Sequence, residues 1–405
     1  MVDSVPRPRL AQRLQGLGTS IFVEMTQLAQ RTGAINLGQG FPDLDGPVEL
    51  LELAARALRE GPNQYEPARG RPELREAVAA HQSRFYGLAL DPDTQVQATV
   101  GATEALAAAF LGLCEPGDAV VAFEPYYDCY AACIAMAGGV RRPVTLRAPG
   151  FAFDLEQLRA AVSGGAQGDA SGGVPGGGAP ARLLVLNSPH NPTGKVFTRD
   201  ELTEIAALCV EHDLIAICDE VYEHQAFDGE HLPLATFPGM AERTITIGSA
   251  GKTFAVTGWK VGWASGPAEL VDAIAAAKQF LTFSGHGPLQ HAVAHGLGYE
   301  ASFFTDAATA LAGKRDRLQD GLRAAGLEVL PSAGTYFVTV DVRSVGEEDG
   351  LRFCRELPER CGVVAVPTAG FYDDPSAGRS LVRFAFCKQD AVLDEAAERL
   401  ASLRG

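Results

Sequence analysis

The sequence predicts an α/β protein with a large domain on a mostly parallel central sheet covered by helices, followed by a smaller α+β domain. Three observations carry this. Between residues 96 and 249, near-continuous apolar strands alternate with helix-like segments, the signature of a parallel sheet buried on both faces. Beyond residue 300 the order changes to one long helical segment and then a run of strands. The 405 residues, at roughly 100–200 per domain, suffice for two or three domains with a sizeable core.

VQATV (96–100) reads as a strand, and ATEALAAAFLGL after it consists of good helix formers. DAVVAFEP (118–125) is the next strand. RLLVLNSP (182–189) precedes a helix whose Leu202, Ile205, Ala206 and Cys209 fall on one face, with Thr198 and Glu201 at capping-box spacing. LIAICDE (214–220) and RTITIGS (243–249) are further buried strands. In the C-terminal part, residues 302–325 are helix-like and offer Phe304, Ala307, Leu311, Leu318 and Leu322 to a core. EVLPS, TYFVTVDV (335–342), GVVAVP (362–367) and LVRFAFC (381–387) follow as strands. The predicted division is 1–44 as an N-terminal arm and part of the small domain, 45–295 as the large domain, and 296–405 as the small domain. Residues 163–181 hold eight glycines and read as a flexible surface insertion.

Lys+Arg number 34 against 50 Asp+Glu, a formal net charge of -16, and no Lys/Arg run marks a basic patch. That argues against a nucleic-acid binder. No stretch approaches ~18 uninterrupted apolar residues, so no membrane span is expected. The first residues, MVDSVPRPRLAQRLQG, lack an apolar signal core. Eight cysteines, none in a C-x-x-C pair, read as reduced and partly buried thiols, and the expected location is cytoplasmic.

In open α/β sheets, ligands bind beyond the carboxyl ends of the strands. Four strand ends here carry polar residues: Gly101-Ala102-Thr103, Asn191, Asp219 with Tyr222, and Ser249 with Lys252. If the strands are parallel, all four meet at one edge. Lys252 can form a Schiff base with an aldehyde and act as a base once released; taken alone it reads first as a surface lysine in a loop. Asp219 is costly at a strand end unless paired, and suits either a protonated ring nitrogen or a helix cap. Asn191 can donate to a ring oxygen, or simply belong to a turn in HNPTG. Tyr222, three residues past Asp219, could reach the same oxygen or pack in the core. Residues 101–103, at a strand-to-helix junction, favour a phosphate, with Ser249, Lys252 and Lys260 near in sequence. Arg383, inside an apolar strand, matches a carboxylate bidentately or snorkels from an edge. Tyr127 could stack on a planar ring.

Nine segments then match one family in order: INLGQGFPD (35–43), NQYEPARGRPELREAVA (63–79), VGATEAL (100–106), EPYYDCY (124–130), NSPHNPTGKVF (187–197), DEVYEH (219–224), SAGKTFAVTGWKVGW (249–263), GTYF (334–337) and LVRF (381–384). The chain resembles the class I/II aminotransferases, pyridoxal 5′-phosphate enzymes of fold type I. Within them it is most similar to the kynurenine, glutamine and methionine aminotransferases. The resemblance implies transfer of an amino group from an L-amino acid, with apolar, aromatic or sulfur-containing side chains favoured, to a 2-oxo acid. It implies that Lys252 holds the cofactor as a Schiff base, Asp219 pairs with its ring nitrogen, Asn191 and Tyr222 bind its ring oxygen, and Tyr127 stacks on the ring. Ala102, Thr103, Ser249 and Lys260 would bind phosphate. Arg383 would hold the substrate carboxylate near Gly40. Tyr65 would reach in from the second subunit of a homodimer. Phe22 stands where kynurenine-active members often carry tryptophan.

Two other reactions fit the same motifs, transamination of N-succinyl-diaminopimelate and β-elimination from cysteine S-conjugates. A phosphate loop in GSAGKT is rejected, because the loop needs glycine five residues before Gly251 and position 246 is threonine. A DNA-binding regulator on the same cofactor would need an added basic domain. His291 and His295 could share a helix face but lack a third metal ligand. Phe22, Tyr65, Tyr127, Phe283 and His286 suggest an aromatic side-chain pocket.

Overall fold

The computed structural model describes residues 20–165 and 178–404, with Ala11 and Arg13. Most of the glycine-rich segment expected to be a surface insertion, and most of the N-terminal arm before residue 20, lie outside the described residues.

Seven strands build the larger sheet: β1 (Val96–Thr99), β2 (Ala119–Glu124), β3 (Val140–Thr145), β4 (Leu183–Asn187), β5 (Ile215–Asp219), β6 (Thr244–Ser249) and β7 (Gly262–Ser265). Their spatial order is β1-β7-β6-β5-β4-β2-β3. All run parallel except β7, which is antiparallel to both neighbours. Alternate residues face opposite ways on a strand, and here both sets are apolar. Val120, Ala122, Leu183 and Val185 pack under the helix Gly101–Leu113, while Val121, Phe123, Leu184 and Leu186 pack under Arg199–Glu211. The latter helix starts with the expected capping box, Thr198 to Glu201, an arrangement that contributes about 1 kcal/mol.

A second sheet has the order Val366–Pro367, Leu381–Ala385, Phe337–Asp341, Glu328–Val329, all antiparallel. The expected strand 362–367 is in fact two pieces. Val363–Val364 pairs in parallel with Ile35–Asn36, and only Val366–Pro367 joins the sheet. Residues 35–36 and the helix Ile21–Thr32 thus share a hydrophobic core with the C-terminal sheet. The long helix runs Ala301–Ala324 and buries Phe304, Leu318 and Leu322, but Ala307 is exposed and Leu311 only half-buried. No helix among the described residues is long and apolar enough to cross a membrane.

Candidate active site

Three neighbouring strands end level with one another. Asn187 pairs with Asp219 across β4 and β5, and Asp219 with Ile247 across β5 and β6. The chain leaves all three at the same edge, and a cavity of about 400 Å³ opens there. Phe22, Gly40, Ala102, Thr103, Tyr127, Asn191, Asp219, Tyr222, Ser249, Lys252, Lys260 and Arg383 all line it. Every one was named from the sequence.

Lys252 sits in the short helix Ala250–Thr253 directly after β6. Its Nζ lies 5.8 Å from the ring centre of Tyr222 and 5.5 Å from that of Tyr336. Burial disfavours the ammonium and lowers its pKa to about 8. Asp219 is buried, and that raises its carboxyl to about 6; hydrogen bonds from Tyr130 and from the Val221 N–H oppose the shift. Tyr130 Oη donates to Asp219 Oδ2 at 2.5 Å, and Asn187 Nδ2 donates to the Asp219 carbonyl at 2.8 Å. Burial also raises the Tyr222 and Tyr127 phenols, so both stay protonated.

At the opposite end, Gly101 opens the helix Gly101–Leu113 with φ +73°, a conformation glycine adopts freely. A Cβ on Gly101 would lie 3.2 Å from Lys260 Cε and Nζ, so the missing side chain lets the ammonium approach the helix N-terminus. Lys260 itself adopts left-handed backbone at φ 53°.

Arg383 is 1% exposed, in the interior strand Leu381–Ala385 rather than at an edge. Its Nη1 donates to Asn191 Oδ1 at 2.9 Å and its Nη2 to the Gly38 carbonyl at 3.0 Å. Its Nε has no hydrogen-bond partner among the described residues. Three phenylalanine rings surround the guanidinium, Phe337 at 3.8 Å, Phe22 at 5.0 Å and Phe371 at 5.7 Å. A buried fork with a free N–H and no paired carboxylate fits a carboxylate ligand. Arg383→Lys is therefore expected to raise the apparent KM for amino acids roughly 10–100-fold, since an ammonium cannot reproduce the fork; initial-rate kinetics with an unchanged KM would contradict this.

Some expected residues lie elsewhere. Tyr65, Phe283 and His286 do not line the cavity of their own chain. Tyr65 is 85% exposed and meets Phe283 edge-on at 5.5 Å, and His286 is exposed at the N-cap position of the helix Gly287–Leu297 without a side-chain capping bond. His291 and His295 bind different carboxylates, Glu73 at 3.1 Å and Glu49 at 3.0 Å. Another histidine group, His81 with Glu223 and His224, lies behind the site. The two Nε2 atoms are 2.8 Å apart, a hydrogen bond between imidazoles that burial keeps neutral. Reasoning from sequence missed Asn187, Tyr130, Gln39, Phe41 and Phe337, all cavity-lining. Asn187 carried a usable signal, a polar residue closing an apolar strand in the same way as Asp219.

The profile of the class I and II aminotransferases matches residues 32–400. The chain belongs to that family. As a class I and II aminotransferase it is 49% identical over 403 residues to a probable N-succinyldiaminopimelate aminotransferase of Mycobacterium tuberculosis, covering 96% of this chain and 98% of the relative. It is 39% identical over 400 residues to the methionine aminotransferase of Escherichia coli, covering 98% of both. It is 37% identical to kynurenine–oxoglutarate transaminase 3 of mouse, covering 96% and 89%. The solved structure of N-succinyldiaminopimelate aminotransferase from Mycobacterium tuberculosis superimposes with a TM-score of 0.91 at 48% identity, covering 98% of this chain and all of that one. Aminotransferases of this family use pyridoxal 5′-phosphate, and the donor set of the cavity fits it. A helix N-terminus, a hydroxyl and an ammonium gather at one end, a carboxylate at the other, and a buried amine between them.

Proposed function

We propose that this aminotransferase moves the amino group of L-amino acids with apolar, aromatic or sulfur-containing side chains to a 2-oxo acid. The observation that carries the reading is the wall around Arg383: Phe22, Phe41 and Phe337 line the cavity, and Arg383 is its single guanidinium among the described residues.

Ala102, Thr103, Ser249 and Lys260 would hold the cofactor phosphate, Asn191 and Tyr222 its ring oxygen, and Tyr127 its ring face. Lys252 would hold its aldehyde carbon as a Schiff base. Bound there, the cofactor supplies an electron-poor ring that accepts the charge left when a substrate C–H bond breaks. Lys252 Nζ would serve as the base that takes the substrate α-proton. The lowered pKa leaves a larger fraction of neutral amine near pH 7 than an ordinary lysine has. Asp219, in its ionised form, would keep a proton on the ring nitrogen. Arg383 fixes the α-carboxylate, with the phenylalanine rings excluding water around it.

A second reading is transamination of N-succinyl-diaminopimelate, favoured by the 49% identity above. A panel of amino donors with several 2-oxo acids, compared by kcat/KM on purified protein, tests both. Preference for methionine, aromatic or branched donors supports the first reading, and preference for succinyl-diaminopimelate overturns it. Pyruvate and ammonia formed from cysteine conjugates without an acceptor would reveal the β-elimination.

The reading includes a homodimer in the cytoplasm. Tyr65 and Phe280 are 85% and 83% exposed, with Leu281 and Phe283 beside them, an apolar patch suited to a second copy. Tyr65 would then complete the partner's cavity. Sedimentation at twice 42.7 kDa checks this. The domain borders at 44 and 295 belong to the same proposal.

A further inference from the structure

The helix Asp128–Ala137 starts where the chain leaves β2, and Tyr127 and Tyr130 meet edge-on at 5.9 Å. Tyr127 lines the cavity wall. Tyr130 points deeper, is 2% exposed, and spends its hydroxyl on Asp219. The Asp219 carboxylate has few other partners. Among the described residues its Oδ1 accepts only the Val221 N–H, at a long 3.3 Å. The charged and titratable groups around it are Lys252 and Glu220 on its own side of the sheet edge, with Tyr222, Tyr127 and Cys129 facing it. Of these, Glu220 works against ionisation, and Lys252 gives up its ammonium form once it bonds an aldehyde. The phenol of Tyr130 is therefore the one short hydrogen bond that favours a charged Asp219 whatever the state of Lys252.

We propose that Tyr130 is a positioning residue of the transamination, whose hydroxyl holds the Asp219 carboxylate ionised and aimed at the ring nitrogen. This rests on the assignment of Asp219 to that nitrogen. No atom of Tyr130 needs to touch substrate. Without its hydroxyl, Asp219 gains proton affinity, the shared proton moves from the ring nitrogen towards the carboxylate, and the ring withdraws electrons less strongly.

The test compares Tyr130→Phe with Tyr126→Phe in the holoenzyme. Tyr126 is a neighbouring buried phenol that donates to Asp373 instead. Tyr130→Phe is expected to lower kcat roughly ten-fold or more, the effect of losing a hydrogen bond to a charged group, with KM for the amino acid unchanged. The pH midpoint of the bound cofactor's visible absorbance is expected to move upward, because a less positive ring holds the imine proton more tightly. Tyr126→Phe should match the parent in both. Replacing Tyr130 with 3-fluorotyrosine, a stronger donor of the same shape, should move the midpoint the other way, and it serves if the phenylalanine variant folds poorly. Parent-like kcat and midpoint in Tyr130→Phe, beside an inactive Asp219→Ala, would overturn the proposal and leave the Asp219 assignment standing. A lower kcat with an unmoved midpoint would also overturn it, reducing Tyr130 to packing. A fully active Asp219→Ala would remove the assignment and the proposal together.

Discussion

Lys252→Ala is expected to lower kcat by at least about 10⁴-fold, the upper range for losing a positioned general base, and to abolish covalent attachment of the cofactor. No other lysine can stand in: Lys260, the other lysine lining the cavity, lies against Gly101 at the far end. Absorbance after borohydride reduction and single-turnover rates check the two effects separately; retained attachment with parental turnover would refute the assignment. The same residue leaves a mark on apoprotein stability. Folding lowers its pKa from 10.5 to about 8, so the unfolded chain binds more protons between those values and stability rises with pH across that window. Below pH 8 the cost is fully present, about 3 kcal/mol at 1.36 kcal/mol per unit. Lys252→Met in the apoprotein should therefore melt higher than the parent at pH 7, with the difference vanishing above pH 10.

Asp219→Ala is expected to keep part of the cofactor affinity, since the phosphate end is untouched, while kcat falls roughly 10²–10³-fold, as when a preorganised electrostatic partner of a reacting group is removed. Equilibrium dialysis and kcat on the loaded variant separate these. A rate near that of the parent would mean the carboxylate does not serve the ring nitrogen. The local energetics give the variant a second signature. Burial raises the Asp219 carboxyl from 3.8 to about 6, so the folded apoprotein carries an unfavourable charge above that pH. Activity and apoprotein stability should therefore move in opposite directions.

The parts of this site that could be read from sequence share one physical origin. A parallel sheet puts all its carboxyl ends on one edge, so a polar residue closing each apolar strand is enough to place Asp219, Ser249 and the 101–103 turn together. Arg383 could be singled out because a guanidinium inside LVRFA conflicts with its surroundings. Tyr130 gave no such signal. It lies among alanines and cysteines on a helix, and its partner is 89 residues away in the chain. Strand β3, VRRPVT, escaped notice because an edge strand tolerates two arginines and a proline. Strand β7, four residues with a glycine, was too short to announce its reversed direction. Phe283 suggested a pocket through its aromatic chemistry alone, and one chain leaves it half exposed beside Tyr65, the residue expected to serve a second subunit.

Arg383 finally links metabolism to folding. A cation sealed from water, solvated only by an amide oxygen and a carbonyl, weakens the empty protein. Any small organic acid that enters and satisfies the idle N–H removes that weakness, and its stabilising effect grows logarithmically with concentration. Small carboxylates are therefore expected to raise the melting temperature of the empty protein and to compete with the amino acid for Arg383, which thermal shift and inhibition kinetics would check.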